Sequence, residues 1–591
     1  MDFYQGRVLR IDLTEGSVMV EPLNMEWARQ YIGGKGLLFR YLLDEVPPGV
    51  APLSEENPLM LFTGPFAGTG VTTCSRLVVG CKSPATGTIL DSYVGGSFAP
   101  ELKFAGYDAL ILTGHAAHPT LVWIENDAVE LRSAHKYVGM GIAQLEETLR
   151  RDLDYNAKFM SNGPAGERLL PWACLSTDHY HKAGRGGAGA LMGSKNVKAI
   201  AVRGTGAVSV GDAKAFLADL RRIHKDYILT PANLWAHEEG TLALVDMVQV
   251  AGAMPTRNWS QGQFEGNDSI NSRAYMKMRL KKRACSQCAL GCRNFHVFGE
   301  ARGEGPEFET VAICGANCGI GDAETLFRFN LACDDLGMDT ISTGGVVAQA
   351  MDMTERGIHD FGMRFGDAEG YLAAPELIAR REGIGADLAL GARELAAKYG
   401  HPEIAMQVKN LELPGYDPRG TFGMSLAYAT ADRGGCHQRS YVQADEILGG
   451  SLPPDSLDGK AAVNIHWQNF TSIKYAGIWC EFWALELDEM RQLLRHVWDS
   501  DFSDDELLRI GERAWNLSRL FNVGQAVEAD TVPARLVEAS GAFSDGPSAG
   551  RYIGADRFAR GLAEYYQLRG WDASGTPTEA KLDQLGIDAR V

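Results

Sequence analysis

Three cysteines, Cys285, Cys288 and Cys292, form a CxxCxxxC array within one short stretch of the chain. Thiolates at this spacing converge from a tight loop on a soft metal centre. A cubane [4Fe-4S] cluster needs four such ligands, and the fourth can come from a distant segment. Zinc is the alternative, since structural Cys₄ zinc sites also use CxxC spacing. The array therefore predicts a metal centre; its spacing favours iron–sulfur and leaves zinc open.

Glycine-rich stretches in the first 200 residues form a second group with chemical potential. They are residues 64–70, which precede Arg76, residues 91–96, and residues 183–189, which include Arg185. Glycines let backbone N–H groups reach phosphate oxygens, and arginine adds a bidentate fork. No GxGxxG sequence here lies between a strand and a helix with an acidic residue downstream, as dinucleotide binding requires, and no P-loop pattern is present. Taken together they predict a phosphate-bearing cofactor of another kind.

The bulk composition limits the class of protein. A chain of 591 residues is too long for one hydrophobic core, so we expect two to four domains. A net charge of -18 excludes a nucleic-acid binder and disfavours docking on an anionic membrane. The eleven cysteines are an odd number in a long chain, which indicates reduced thiols rather than a disulfide scaffold.

The sequence carries no recognisable membrane or export signal. No segment approaches the roughly 18 uninterrupted apolar residues of a membrane helix. The first residues contain neither the apolar segment of a Sec signal peptide nor a twin-arginine leader. We therefore expect a cytoplasmic protein without membrane insertion.

Short alternating segments dominate the first third of the chain. An opening hairpin is predicted from residues 7–13 and 17–22. Further strands are predicted at 59–63, 77–81, 109–113, 121–125 and 197–202. After about residue 210 helical spacing takes over. Helices are predicted at 212–227, 323–336, 341–356, 376–382, 386–399, 488–497 and 503–520.

These patterns predict an α+β fold with three domains. Residues 1–208 form an N-terminal antiparallel β domain, residues 209–410 a helical domain with the cysteine array, and residues 411–591 a C-terminal helical domain.

Several motifs make the chain resemble a known family. They span nearly the whole sequence and comprise Gly33–Gly36, Ser83–Gly87, Glu101–Asp108, Gly163–Glu167, Gly184–Gly187, the cysteine array and Asp334–Thr340. With them the chain resembles the aldehyde ferredoxin oxidoreductase family of tungsten enzymes. The resemblance implies a tungsten or molybdenum bis-pterin cofactor, one [4Fe-4S] cluster and Mg²⁺. It also implies that the N-terminal β domain forms a base under the pterins.

The resemblance also implies a set of site residues. The cluster ligands would be Cys285, Cys288, Cys292 and Cys480. The residues around the pterins would be Arg76, Gly95, Ala183, Gly184, Arg185, Asp334, Asp339, Arg433, Arg439 and Trp479. Backbone carbonyls of Tyr93 and Ala183 would bind the magnesium ion that bridges the pterin phosphates. The sequence departs from the family at Tyr475, which occupies the Asp position of the DxxGLC motif, so the surroundings of the second pterin must differ.

Glu309 and His437 match the family's active-site acid and histidine. The implied reaction is the oxidation of an aldehyde to a carboxylic acid. Glu309 would act as general base, because a partly buried carboxylate near an anionic cofactor has a raised pKa. His437 would donate a hydrogen bond to the aldehyde oxygen. Electrons would leave through the cluster to ferredoxin or an iron–sulfur electron-transfer subunit, in a homodimer or hetero-oligomer.

Two alternatives to aldehyde oxidation remain open on sequence grounds. One is a low-potential reductase of another substrate, such as an aromatic acyl-CoA; direct ligation of the metal by Cys318 would favour it. A packed, inert thiol is the simpler interpretation of Cys318. The other alternative is a non-enzymatic, zinc-binding scaffold. The choice between tungsten and molybdenum is not set by side chains.

Overall fold

Two six-stranded sheets occupy the N-terminal part of the computed structural model, which describes residues 2–228 and 230–588. The first sheet has the order β2-β1-β6-β3-β4-β5 and contains Arg7–Asp12 (β1), Ser17–Pro22 (β2), Leu59–Phe62 (β3), Leu77–Lys82 (β4), Ile89–Val94 (β5) and Ala109–Thr113 (β6). The second has the order β11-β10-β9-β12-β7-β8 and contains Thr120–Glu125 (β7), Ala128–Ser133 (β8), Lys158–Asn162 (β9), Leu175–Thr177 (β10), His181–Ala183 (β11) and Val197–Arg203 (β12).

Both sheets are mixed rather than purely antiparallel. β1 pairs with β6 in parallel, and so does β12 with β7, while the other pairings are antiparallel. The α+β fold class is confirmed, and the expected strands lie where the alternation placed them. Alternation of apolar and polar residues shows which side chains are half-buried. Whether neighbouring strands run parallel or antiparallel depends on the connections between them, which alternation does not reveal.

Strands β3, β4 and β5 of the first sheet are buried on both faces, and this makes the sheet a base for the rest of the chain. Along β3, Leu59 and Leu61 pack toward the second sheet, while Met60 and Phe62 pack toward the C-terminal helices. Each fully buried side chain of this size contributes about 1.5–3 kcal/mol of hydrophobic free energy. Residues at the ends of β4 and β5 are therefore held rigidly beneath the helical part.

The remainder of the chain is mainly helical. Its longer helices are Ala213–Ile223, Pro231–Glu238, Ala323–Leu336, Thr340–Glu355, Ala368–Arg380, Ala392–Lys398, Gly423–Thr430, Lys460–Ala476, Leu487–Trp498, Asp504–Gly524 and Ala555–Arg569. A three-stranded antiparallel sheet interrupts them with Arg279–Arg283 (β13), Arg293–Phe298 (β14) and Ala301–Glu304 (β15). Within the described ranges, no helix has both the length and the apolar character needed to cross a lipid bilayer.

Two of the expected helices differ from the structure. The helix expected at 386–399 is two helices, Gly385–Leu388 and Ala392–Lys398. The break falls at Gly391, whose φ of 86° is open to glycine and strained for other residues. The helix expected at 376–382 is the end of Ala368–Arg380, which continues through Pro375. A proline normally ends a helical pattern in the sequence, so the first half of this helix, before Pro375, was not predicted.

Candidate active site

Four cysteine sulfurs line one cavity of about 90 Å³. Cys285, Cys288 and Cys292 come from the loop between β13 and β14, and Cys480 follows the helix Lys460–Ala476. The structure thus brings the distant cysteine to the array. The remaining walls of the cavity include Arg76, Tyr93, Gly95, His181 and Arg293.

Gly95 explains how the cysteine loop can approach the first sheet so closely. A Cβ atom at this position would lie 2.7 Å from the sulfur of Cys285, which no side chain tolerates. The loop is held in this place by hydrogen bonds from Ser286 N to Gly96 O (3.1 Å) and from Ala289 N to Thr72 Oγ1 (2.9 Å). The glycines of 91–96 therefore make room for the cysteine loop.

Arg76 lies between the sulfur cavity and the first sheet. Its guanidinium group pairs with Glu481 and lies 3.6 Å from the sulfur of Cys480. Burial raises the pKa of Cys285 to about 12. The free thiol is consequently protonated at neutral pH, and a bound cation is needed to hold the sulfurs as thiolates.

A buried carboxylate and an imidazole face each other in a second part of the site. Glu309 Oε1 lies 3.4 Å from His437 Nε2, although 127 residues separate them in the sequence. Glu309 Oε2 accepts a hydrogen bond from Gly415 N at 2.7 Å. In the part of the chain that the structure describes, neither Glu309 Oε1 nor His437 Nδ1 has a hydrogen-bond partner. Both atoms are thus available to a bound molecule.

The electrostatics of this pair fix its protonation. Burial raises the pKa of Glu309 to about 8, although the Gly415 amide and the Arg185 charge oppose the shift. Burial lowers the pKa of His437 well below its usual value, and the positive charges of Arg185, Arg433 and Arg439 act in the same direction. At pH 7 the pair therefore consists mainly of a protonated carboxyl and a neutral imidazole.

These three arginines surround Cys436, and Arg185 and Arg439 are partly balanced by buried aspartates. Burial alone would raise the pKa of this thiol, but the arginines outweigh burial and lower the pKa. Arg433 Nη2 also donates a hydrogen bond to its sulfur at 3.2 Å. Among the described residues, Arg433 Nε and Arg439 Nη1 are buried without an acceptor. A buried positive region with unused donors fits an anionic ligand such as a phosphate.

A buried ion cluster anchors Arg439. Its Nε donates to Asp432 at 2.8 Å and its Nη2 also contacts Asp91. Lys35 Nζ lies 2.9 Å from Asp91 and 2.5 Å from Asp432. All four side chains are fully buried. Because Lys35 and Asp91 belong to the N-terminal part and the others to the C-terminal part, the cluster joins both parts beneath the site.

Asp334 and Asp339 lie on either side of a turn between two buried helices. Gly337, with a left-handed φ of 75°, ends Ala323–Leu336. Asp339 caps the next helix and also accepts from Arg185 Nε at 3.0 Å. Arg185 is further held by the carbonyls of Gly435 and Glu412. Burial raises the pKa of Asp334 to about 6, opposed mainly by Lys182.

The departure at Tyr475 is accommodated by an aromatic pair. The ring of Tyr475 stacks on that of Tyr93 with centroids 4.3 Å apart, and its hydroxyl donates to Gln438 O at 3.2 Å. Trp479 is fully buried, and its Nε1 has no acceptor among the described residues.

The backbone positions expected to bind magnesium lie at the ends of two strands. Tyr93 is near the end of β5 and Ala183 is the last residue of β11. Gly184 follows directly in an open position, since its Cβ would meet only Lys182 at 3.8 Å. Tyr93 and Ala183 are thus on strands that contact each other across the two sheets, and Gly184 directly follows one of these strands.

Cys318 is separate from the sulfur cavity. It is fully buried and donates to the carbonyls of Ile313 and Gly344, at 3.5 and 3.4 Å. Burial raises its pKa. These contacts are those of a packed, protonated thiol.

Four sulfur donors in one cavity and a buried acid–histidine pair, in a chain with a rigid sheet base, are groups that a metal-dependent oxidoreductase uses. Known proteins agree. The sequence profile "Aldehyde ferredoxin oxidoreductase, N-terminal domain" matches residues 8–204, and "Aldehyde ferredoxin oxidoreductase, domains 2 & 3" matches residues 220–587. The chain belongs to the aldehyde ferredoxin oxidoreductase family.

Individual relatives are similar to this chain over nearly their full length. The chain is 39% identical to the tungsten-containing aldehyde ferredoxin oxidoreductase of Pyrococcus furiosus, covering 98% of each chain. It is 28% identical to the aliphatic sulfonate oxidoreductase, WOR-like subunit, of the same organism, covering 99% of this chain and 97% of the relative. The active site complex BamBC of benzoyl coenzyme A reductase shares the fold, with a TM-score of 0.84 at 23% identity and coverage of 99% and 97%.

Proposed function

We propose that this protein oxidises aldehydes to carboxylic acids with a tungsten bis-pterin cofactor, and passes the electrons through one [4Fe-4S] cluster to ferredoxin or an iron–sulfur subunit. The observation that carries the proposal is the Glu309–His437 pair, whose free atoms lie in a positive, buried region. The names of the relatives support tungsten and aldehydes. Eleven free cysteines support a reducing compartment such as the cytoplasm.

The shape of the sulfur cavity supports an iron–sulfur cluster over zinc. A single zinc ion binds sulfurs at about 2.3 Å and leaves no space between them. The four sulfurs here surround a cavity of about 90 Å³. A polynuclear cluster with four cysteine ligands fits this arrangement.

The charged groups of the site fit an anionic cofactor. Arg76, Arg433 and Arg439 would face its phosphates, and the carbonyls of Tyr93 and Ala183 would hold a bridging Mg²⁺. When bound, a tungsten centre supplies the acceptor for the two electrons of the oxidation. Tyr475 in place of a carboxylate would leave the second pterin with an aromatic neighbour.

The two titratable side chains then divide the proton chemistry. In its carboxylate form Glu309 takes a proton from water or from the aldehyde hydrate at Oε1, which accepts no hydrogen bond from the described residues. A neutral imidazole carries one N–H, and Nδ1 of His437 is the nitrogen left for the substrate oxygen. Gly415 N fixes the other carboxylate oxygen, so Oε1 stays oriented.

The cluster assignment predicts the effect of removing one sulfur. In Cys480→Ala we expect the iron content to fall well below the four atoms per chain of a cubane cluster, because one ligand is lost. Iron is measured by mass spectrometry, and the reduced cluster by electron paramagnetic resonance. Cys81→Ala, which changes a buried thiol outside the cavity, should keep its iron. Zinc in place of iron in the wild-type protein would contradict the assignment.

Cys318 distinguishes aldehyde oxidation from the reductase alternative. Because its thiol is occupied by two carbonyls, we expect Cys318→Ala to keep its tungsten and its aldehyde-dependent reduction of a viologen dye within about twofold. The stability cost of such a buried truncation is about 1 kcal/mol. Loss of tungsten from this variant would instead make Cys318 a metal ligand and favour the reductase.

The overall proposal is tested on anaerobically purified protein. Tungsten, molybdenum and iron are determined by mass spectrometry, and a series of aliphatic and aromatic aldehydes is assayed with benzyl viologen. We expect metal, pterin and aldehyde oxidation together. A fully metal-loaded protein that oxidises no aldehyde in the series would refute the proposed function.

A further inference from the structure

A strongly basic surface segment lies directly before the cysteine array. Residues 273–284 contain six basic residues and no acid, in a protein whose net charge is -18. Four of the basic residues are in β13, which is an edge strand of its sheet. Lys277 and Lys281 are exposed, and neither has an acidic partner among the described residues. Lysines protect an edge strand from pairing with another chain, but six cations grouped in an acidic protein also create a local positive field that attracts an acidic partner.

This segment is joined to the sulfur cavity by a short helix. Arg279 Nη1 donates to Glu238 O at 2.7 Å, and Lys282 Nζ donates to His237 O. Both carbonyls belong to the end of the helix Pro231–Glu238. His237 Nδ1 in turn lies 2.7 Å from the carbonyl of Leu290, which lines the cavity. The basic strand is thus only one layer away from the four sulfurs.

Apolar side chains accompany the charges on this face. Leu280 in β13 is 65% exposed, and Leu234 in the short helix is 41% exposed. Trp235 packs edge-on against Phe482, with ring centroids 6.1 Å apart, and Phe482 lines the cavity. A recess of about 430 Å³ lies between helix and strand; Glu238 and Glu239 are the acids among its basic lining residues. Exposed apolar groups with a charged rim are typical of protein-binding surfaces.

We propose that β13 and the helix Pro231–Glu238 form the docking surface for an acidic protein that carries a one-electron iron–sulfur centre. The inference rests on the proposed function and adds the place of contact. The positive segment attracts an acidic partner and orients it, while the exposed leucines supply apolar contact. A partner bound here has its own centre near Leu290 and Phe482, two residues that line the cavity of the four sulfurs.

The stoichiometry of the reaction follows from the same chemistry. Oxidation of an aldehyde with water, RCHO + H₂O → RCOO⁻ + 3 H⁺ + 2 e⁻, releases two electrons. A one-electron acceptor takes them in two successive encounters, so two oxidised acceptor molecules are reduced for each aldehyde. Rapid binding and release then matter more than high affinity, which suits a surface dominated by charge.

The test reverses two exposed charges that have no acidic partner among the described residues; Lys281 also lies over the ring of Phe295, 5.3 Å from its centroid. Lys277→Glu/Lys281→Glu is compared with Arg364→Glu/Arg560→Glu, which makes the same charge change at exposed positions without an ion pair among the described residues. The holoenzymes are assayed with an aldehyde and either benzyl viologen or an acidic [4Fe-4S] ferredoxin. We expect all viologen rates to agree within about twofold. For ferredoxin at low salt, kcat/KM should fall about tenfold in the lysine variant alone.

The outcomes separate the docking surface from the function. Equal ferredoxin kcat/KM for the lysine variant and the arginine control would overturn the docking surface while aldehyde oxidation stands. A wild-type enzyme without viologen activity would overturn the proposed function instead. In that case calorimetric titration with the same ferredoxin tests the docking surface. Weaker ferredoxin binding by the lysine variant than by the arginine control supports the docking surface, and equal binding refutes it.

Discussion

Glu309→Gln should lower the aldehyde kcat/KM by about 10²–10⁴-fold, the usual contribution of a general base. The variant keeps the shape of the side chain, and its amide oxygen can still accept the hydrogen bond from Gly415 N. What it loses is the ability to take a proton at Oε1. Viologen-linked assays measure the rate, and metal analysis of the same sample shows that the cofactors are retained.

The pH dependence tests the same residue independently. Burial raises the pKa of Glu309 to about 8, and the carboxylate is the active form. The wild-type kcat/KM should therefore rise with pH up to about 8 and level off above it. In Glu309→Gln this rise of kcat/KM with pH should disappear.

Glu146 provides a matched control. It is another buried carboxylate whose pKa burial raises to about 8, but it contacts His179 N and Ser161 rather than His437. Glu146→Gln should keep both the rate and the rise of kcat/KM with pH. If this rise survives in Glu309→Gln, or vanishes in Glu146→Gln, another group is the base.

Local signals in the sequence account well for individual elements. The helix Ala323–Leu336 has the predicted bounds because Asp322 caps its first turn and Gly337 ends it. The cysteine array predicted three of the four cavity sulfurs. Cys480 and the pair of Glu309 and His437 carry no local signal, and only the family motifs singled them out.

Other features depend on contacts between distant segments and were not predictable. The glycines near residue 95 were interpreted as a phosphate loop, whereas Gly95 also admits the sulfur of Cys285. Arg433 and Arg439 flank Cys436 in the sequence, but the fold adds Arg185 from a distant segment, and together the three outweigh burial and lower the pKa of the thiol. Gly34 belongs to the motif Gly33–Gly36, whose structural role the sequence does not reveal. A Cβ atom at Gly34 would lie 2.3 Å from Tyr475 O, so the glycine is needed for this close approach. In each case the cause is a close approach of two segments, which residue types alone do not report.

Lys35→Met should lower the free energy of unfolding by about 3–5 kcal/mol, the cost of leaving a buried charge without its partner. Methionine retains much of the lysine volume against Phe39 and Trp515, so the loss is mainly electrostatic. Asp91 and Asp432 would then share only Arg439. Urea unfolding of variant and wild type side by side measures the change. The exposed Lys277→Met should change stability by less than about 0.5 kcal/mol.

The loss of stability at low pH and a second substitution both test whether lost charge balance is what destabilises Lys35→Met. Burial would raise the pKa of Asp432, but Lys35 and Arg439 outweigh burial and hold the pKa below its usual value. This contribution is present above about pH 4 and is lost as pH falls below it, and the loss should be smaller in Lys35→Met. Lys35→Met/Asp432→Asn removes one charge of each sign and leaves Asp91 paired with Arg439, so it should be more stable than Lys35→Met alone. A double variant as unstable as the sum of the two single variants would show that the four charges are not coupled.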